Sequence, residues 1–229
     1  LFGLSLRAKS PALLNLINKR TDRLESIPDQ FLTGIDRYQI KLLDDLETLL
    51  EGLDRKAGKI ISSTANQAKV DQITNGLQEI MFESDSQYLE AVGEFVQEFD
   101  EQALIASKIF KDSLGQFSDK ELYQQALRKS KINALKLFED SAIDRELMQP
   151  LTEILDAAVA TGAEQKALKE LLRTYMLNDE NGLGRLASYS NLYARDHFAT
   201  FDRQYTQSIG DDLGTEFYLY SGGTLKDSR

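Results

Sequence analysis

His197 is the only histidine in a chain of 229 residues that has no cysteine and 37 carboxylates. Tyr193 and Phe201 stand one helical turn to either side of it, so it falls at the edge of an aromatic stripe. A packed or half-exposed structural imidazole is expected there rather than a general base. A metal at His197 would need carboxylates from elsewhere, because neither a His-x-x-x-His pair nor a Cys pair exists. Arg195, Asp196, Asp202 and Arg203 crowd the same stretch, with Asp196 and Arg203 two turns apart on one side. They read as a solvated ion-pair face, the sharper alternative being an anchor for the segment that follows. Arg128, Lys129, Lys131 and Lys136 form the one basic cluster. Without interleaved aromatics they also read as a solvated face, with a phosphate or an acidic partner as the alternative. Gly182-x-Gly184 lacks the third glycine and the preceding strand of a nucleotide fingerprint. No nucleophile elbow, phosphate loop or triad is present. No catalytic residue, cofactor site or metal site is therefore expected.

The element that must position these groups runs from Gly184 to Gly210. Ala194, Phe198, Phe201, Tyr205 and Ile209 recur at steps of four, three, four and four, which stacks them on one helical face. Leu186, Tyr189 and Tyr193 extend an adjoining stripe. Glycines at 210 and 214 end the helix. Thr215 to Tyr220 then alternates Phe217 and Leu219 against Tyr218 and Tyr220, the one convincing strand signal in the chain. A lone strand leaves its backbone groups unpaired. With no partner evident upstream, the sheet partner is expected beyond Arg229 or on another chain.

The rest reads as helices. Ser10-Pro11 is a helix start, and a short helix is expected to about Ser26, with Pro28 opening a second. The stripe Ile35, Tyr38, Leu42, Leu46, Leu49, Leu53 carries that second helix to Gly52 or beyond. Ala57 to Phe82 reads as a third helix. Asp85 or Ser86 caps a fourth that stops near Gly115, and Ser118 with Glu121 forms a capping box for a fifth. Pro150 marks a kink or break, Gly162 a stop, and Ala163 to Leu177 a short helix. Asn178 to Gly182 is the clearest loop. The fold class expected is mainly α: an elongated multi-helix bundle with a small C-terminal α/β element, truncated at Arg229. Two regions are expected, 1–140 and 141–229.

A hydrophobic fraction of 41% can fill a sizeable core, and a net charge of −10 argues against duplex DNA as the main ligand. No apolar run approaches the roughly 18 residues of a membrane span.

Four segments carry a family resemblance: DRELMQPLTEILDAAVATG, LKELLRTYM, RLASYSNLYARDHFATFDRQY and GTEFYLYSGGTLKDSR. In that order, helix, helix, long helix and Gly-x-x-aromatic strand, the region from about Asp140 to Arg229 resembles the minor head, or head-morphogenesis, proteins of tailed bacteriophages, the group related to the F protein of phage Mu. Arg195 matches the Arg of that family's Arg-Thr-Glu, while Asp196 and His197 replace its Thr and Glu. The resemblance implies a structural protein of the virion head, assembled in the host cytoplasm. It implies contacts with the portal protein, capsid or other head proteins, an oligomeric setting, at most indirect proximity to phage DNA, and no cofactor. Arg195, Phe198, Phe201 and Tyr205 are the residues expected to hold its helical element together or to present an aromatic surface to a partner. Tyr218 and Tyr220 are expected on the exposed strand face. The alternatives are a fragment of a larger enzyme-fused phage head protein and a cellular helical adaptor.

Overall fold

Helix is what these residues build almost wherever the chain is described. The computed structural model describes residues 10–83, 86–115, 120–139, 143, 147–177 and 184–214. Among them lie α1 Pro11–Leu49, β1 Arg55–Lys56, β2 Lys59–Ile60, α2 Thr64–Phe82, α3 Gln87–Leu114, α4 Glu121–Glu139, α5 Gln149–Thr161, α6 Gln165–Leu177 and α7 Arg185–Asp212. The chain is mainly α, a multi-helix bundle, with a small two-stranded sheet among the described residues. The strand expected at Thr215 to Tyr220, with Tyr218 and Tyr220, lies outside the described residues, as do Asp85, Ser118 and the Asn178–Gly182 loop.

Side-chain caps start three of the helices. The Leu13 N–H donates to Ser10 Oγ at 3.2 Å, the Asn66 N–H to Ser63 Oγ at 3.2 Å, and the Leu89 N–H to Ser86 Oγ at 3.1 Å. Pro150 falls in the first turn of α5, where its missing N–H costs nothing. Gly115 and Gly162 take left-handed φ of 69° and 65° as α3 and α5 end.

Two expectations are corrected. Pro28 opens no new helix, because α1 runs through it from Pro11 to Leu49. The proline cannot donate to the Leu24 carbonyl. Ile27, Phe31 and Ile35 nevertheless continue one buried stripe past it, and their burial outweighs the lost bond. The second correction concerns residues 55–60, expected to lead into or begin a helix, which instead form a hairpin with Arg55 opposite Ile60 and Lys56 opposite Lys59. Ala57 and Gly58 turn it with φ of 51° and 80°, the two positive values a two-residue turn needs to match strand twist.

The chain divides into two units by its contacts, and both draw on α1, α3, α4 and α7. The first comprises residues 1–28, 95–133 and 195–229, the second 29–94 and 134–194.

The first unit's core is aromatic. Phe99 meets Phe198 at 5.2 Å and Phe201 at 4.7 Å between ring centroids, and Phe95 meets Phe198 at 5.9 Å. In the second unit, Tyr38, Leu42 and Leu46 of α1 and Leu50 just after it are buried, as are Val70, Ile73, Leu77 and Met81 of α2. α2 packs on α5, where the Thr74 and Thr152 hydroxyls meet at 3.1 Å. The hairpin is pinned to the α5–α6 connection by the Ile60 N–H on the Ala163 carbonyl at 3.0 Å and the Gln165 N–H on the Gly58 carbonyl at 3.1 Å.

Candidate functional site

α7 is the element on which the expected site residues converge. Its stripe is buried as its spacing requires: Ala194, Phe198, Phe201, Tyr205 and Ile209 are all at or below 3% exposure. In the first unit, Phe201 and Tyr205 follow one another at 5.6 Å, and Tyr205 reaches Tyr123 of α4 at 6.3 Å. The Tyr205 hydroxyl meets Ser107 Oγ of α3 at 3.2 Å. Phe198, Phe201 and Tyr205 therefore hold their own unit together, and this face has no aromatic surface left to offer a partner. Arg195 and Asp196 lie on the exposed side of α7, away from that stripe, and His197 is half-buried.

Asp202 departs from the solvated-face expectation. Its side chain is 4% exposed and that of Arg20 12%. Arg20 grips both carboxylate oxygens, Nε to Oδ1 at 2.8 Å and Nη2 to Oδ2 at 2.6 Å. Gln102 Nε2 donates to the same Oδ1 at 2.8 Å and to the Arg20 carbonyl at 3.3 Å. The Gln102 amide oxygen accepts from Arg23 Nε at 3.2 Å, and Arg23 Nη2 continues to Glu98 Oε2 at 2.6 Å. Three helices, α1, α3 and α7, are thereby joined through one network whose donors and acceptors are matched. The charge of Asp202 is held in place by three bonds, two to Oδ1 and one to Oδ2. The pair is 182 residues apart in sequence, which is why spacing within α7 could not reveal it.

At the far end of α7, Asp212 accepts from Lys120 and from the Tyr123 hydroxyl, the latter at 2.6 Å. The Lys120 bond, then the Tyr123 bond, hold its carboxyl below the usual range. The basic cluster of α4 is a surface face: Arg128 pairs with Glu121, Lys131 with Asp100 at 2.6 Å, and Lys129 is exposed.

In the second unit, Gln39 caps the start of α7. Its Oε1 accepts the Ala187 N–H at 3.3 Å, while its Nε2 donates to Asp36 at 3.1 Å. Gly184 is required beside it, since a Cβ there would overlap the Met176 carbonyl oxygen and come within 2.5 Å of Gln39 Oε1. Asn66 is wholly buried and spends its amide on the hairpin. Its Nδ2 donates to the Asp54 and Ile61 carbonyls at 2.9 and 2.8 Å, and its Oδ1 accepts the Asp54 N–H at 2.8 Å. Among the described residues, the hydroxyls of Tyr38 and Ser190 are buried without a hydrogen-bond partner. Burial, then Asp45 and Glu83, push the Tyr38 phenol up.

Outside these clusters, Arg185, Ser188, Tyr189, Leu192 and Tyr193 line a depression of about 200 Å³ on the first turns of α7. Arg185 lies over the Tyr175 ring of α6 at 5.9 Å from its centroid, and the Tyr189 and Tyr193 rings meet tilted at 4.4 Å. The Tyr189 hydroxyl donates to the Leu137 carbonyl at 3.3 Å. Among the described residues, no group of three or more His, Asp or Glu side chains could hold a metal ion, and no helix is long and apolar enough to cross a membrane.

No protein-family model, curated protein or solved structure matches the chain.

Proposed function

We propose that the chain is a structural minor head protein of a tailed phage, acting in head assembly or genome delivery through contacts with the portal, the capsid or other head proteins. The observation that carries this is the order α5, α6, α7. Two short helices followed by a 28-residue helix occupy three of the four segments that resemble the head-morphogenesis proteins. The polar groups on the long helix favour a contact-making role over a chemical one: Asp202 and Asp212 are committed to Arg20, Gln102, Lys120 and Tyr123. Such a protein works in the virion by presenting fixed surfaces, and its site in the head needs no cofactor.

Removing its gene from the phage or prophage that encodes it tests this. Infectious particles should fall sharply in yield, with heads incomplete or unable to deliver DNA, and expression in trans should restore them. Normal yields of infectious particles from the deletion would overturn the proposal.

A further inference from the structure

The depression at the start of α7 brings three features together. Leu192, at 65% exposed, is the most exposed large apolar side chain among the described residues. Arg185 is exposed and makes no ion pair among them; it is held over Tyr175, which fixes the guanidinium without neutralising it. Its position in the first turn of a helix, where the backbone end is already positive, costs stability unless an anion is nearby. Tyr189 and Tyr193 then floor the space between the cation and Leu192. Arg and Tyr around a concave patch are residue types enriched in protein-contact hot spots, and Leu192 adds exposed apolar area beside them.

We infer that this depression docks an acidic, apolar segment of a partner protein, with a carboxylate on Arg185 and an apolar side chain laid against Leu192, Tyr189 and Tyr193. Seven residues of helix separate Arg185 from Leu192, roughly 10 Å. The partner's two groups therefore stand at i and i+7 on a helix, or at i and i+3 in a polyproline II segment. A second copy of this chain is the poorer occupant. A two-fold contact sets the patch against itself, and its lining holds a cation and no carboxylate, which would leave two arginines unpaired at one interface. The inference rests on the reading of the chain as a protein-contact component and names the chemistry of the partner.

Fluorescein-labelled synthetic peptides with Asp and Leu at that spacing, and matched peptides with Asn in place of Asp, provide the test by fluorescence polarisation. The acidic peptides should bind saturably, and Arg185→Gln and Leu192→Asp should each weaken them about tenfold. The Asn peptides should bind the unsubstituted chain no better than the acidic ones bind Arg185→Gln. Both substitutions fall on exposed side chains, and unchanged circular dichroism confirms that the variants fold. Saturable binding by none of the acidic peptides, a loss under twofold in both variants, or a dimer in sedimentation that Leu192→Asp dissolves would each overturn the inference. Failure here with the chain still present in particles removes the pocket alone. Peptide binding intact with the chain absent from particles removes the virion reading.

Discussion

Arg20 and Asp202 meet through two parallel bonds at 2.8 and 2.6 Å, inside a unit where both side chains are almost shut off from water. Two charges taken out of water gain little over an apolar pair of the same volume, but removing either one strands the other. Arg20→Met should therefore destabilise the protein by about 3–5 kcal/mol. The double variant Arg20→Met, Asp202→Leu should recover most of that loss. Urea denaturation of the two single variants and the double variant measures it, and equal loss in all three would show that the pair is not the coupling.

Asn66 is the corresponding fastener of the second unit. Asn66→Ala leaves the Asp54 N–H and the Ile61 carbonyl without partners, while the Asp54 carbonyl keeps the Ile61 N–H, a loss of about 2 kcal/mol. Hydrogen exchange gives the local reading. The Asp54 amide should lose its protection in the variant, while the Phe99 amide of the first unit should keep its own.

Gly184→Ala places a methyl group against the Met176 carbonyl and the Gln39 amide. The cost should be about 1–3 kcal/mol, from overpacking at a buried helix start. Thermal unfolding checks this. Gly52→Ala is the control, since a Cβ there meets nothing within 4 Å.

Glu51 carries the clearest pH signature. Bonds from Lys169, then Arg55 and Gln165, lower its carboxyl from an ordinary value of 4.5 to about 2. With the folded value depressed, its favourable contribution is present in full above the ordinary value and is lost as pH falls through about 2. A carbon-detected NMR titration should find the Glu51 midpoint near that lower value. Lys169→Met should move it upward, and a midpoint unchanged by that substitution would refute the assigned cause.

Much of this architecture could be read from residue order, for identifiable reasons. The stripe Ala194, Phe198, Phe201, Tyr205, Ile209 is buried throughout, because a helical period of apolar residues in water has one low-energy arrangement. The function of that stripe was less legible: periodicity says that a face is covered and not by what, and here Phe198, Phe201 and Tyr205 are covered by Phe95, Phe99 and Tyr123 of their own unit. Pro28 misleads because a local preference of about 3 kcal/mol competes with burial of Ile27 and Phe31 on either side. The hairpin at 55–60 was hidden because two-residue strands carry no alternation, and Ala57 stands where Asn or Asp usually marks such a turn. Asp202 looked like one more surface charge, since burial of a carboxylate depends on a partner that only the fold brings near.

Absolute quantification of peptides from gradient-purified particles, by mass spectrometry against labelled standards, reaches the proposed role most directly. The chain should be found in the particles at low copy number relative to the major capsid protein, and should stay with them through high-salt washing. Its absence from purified particles, with abundant chain left in the host-cell lysate, would contradict a role in the virion head.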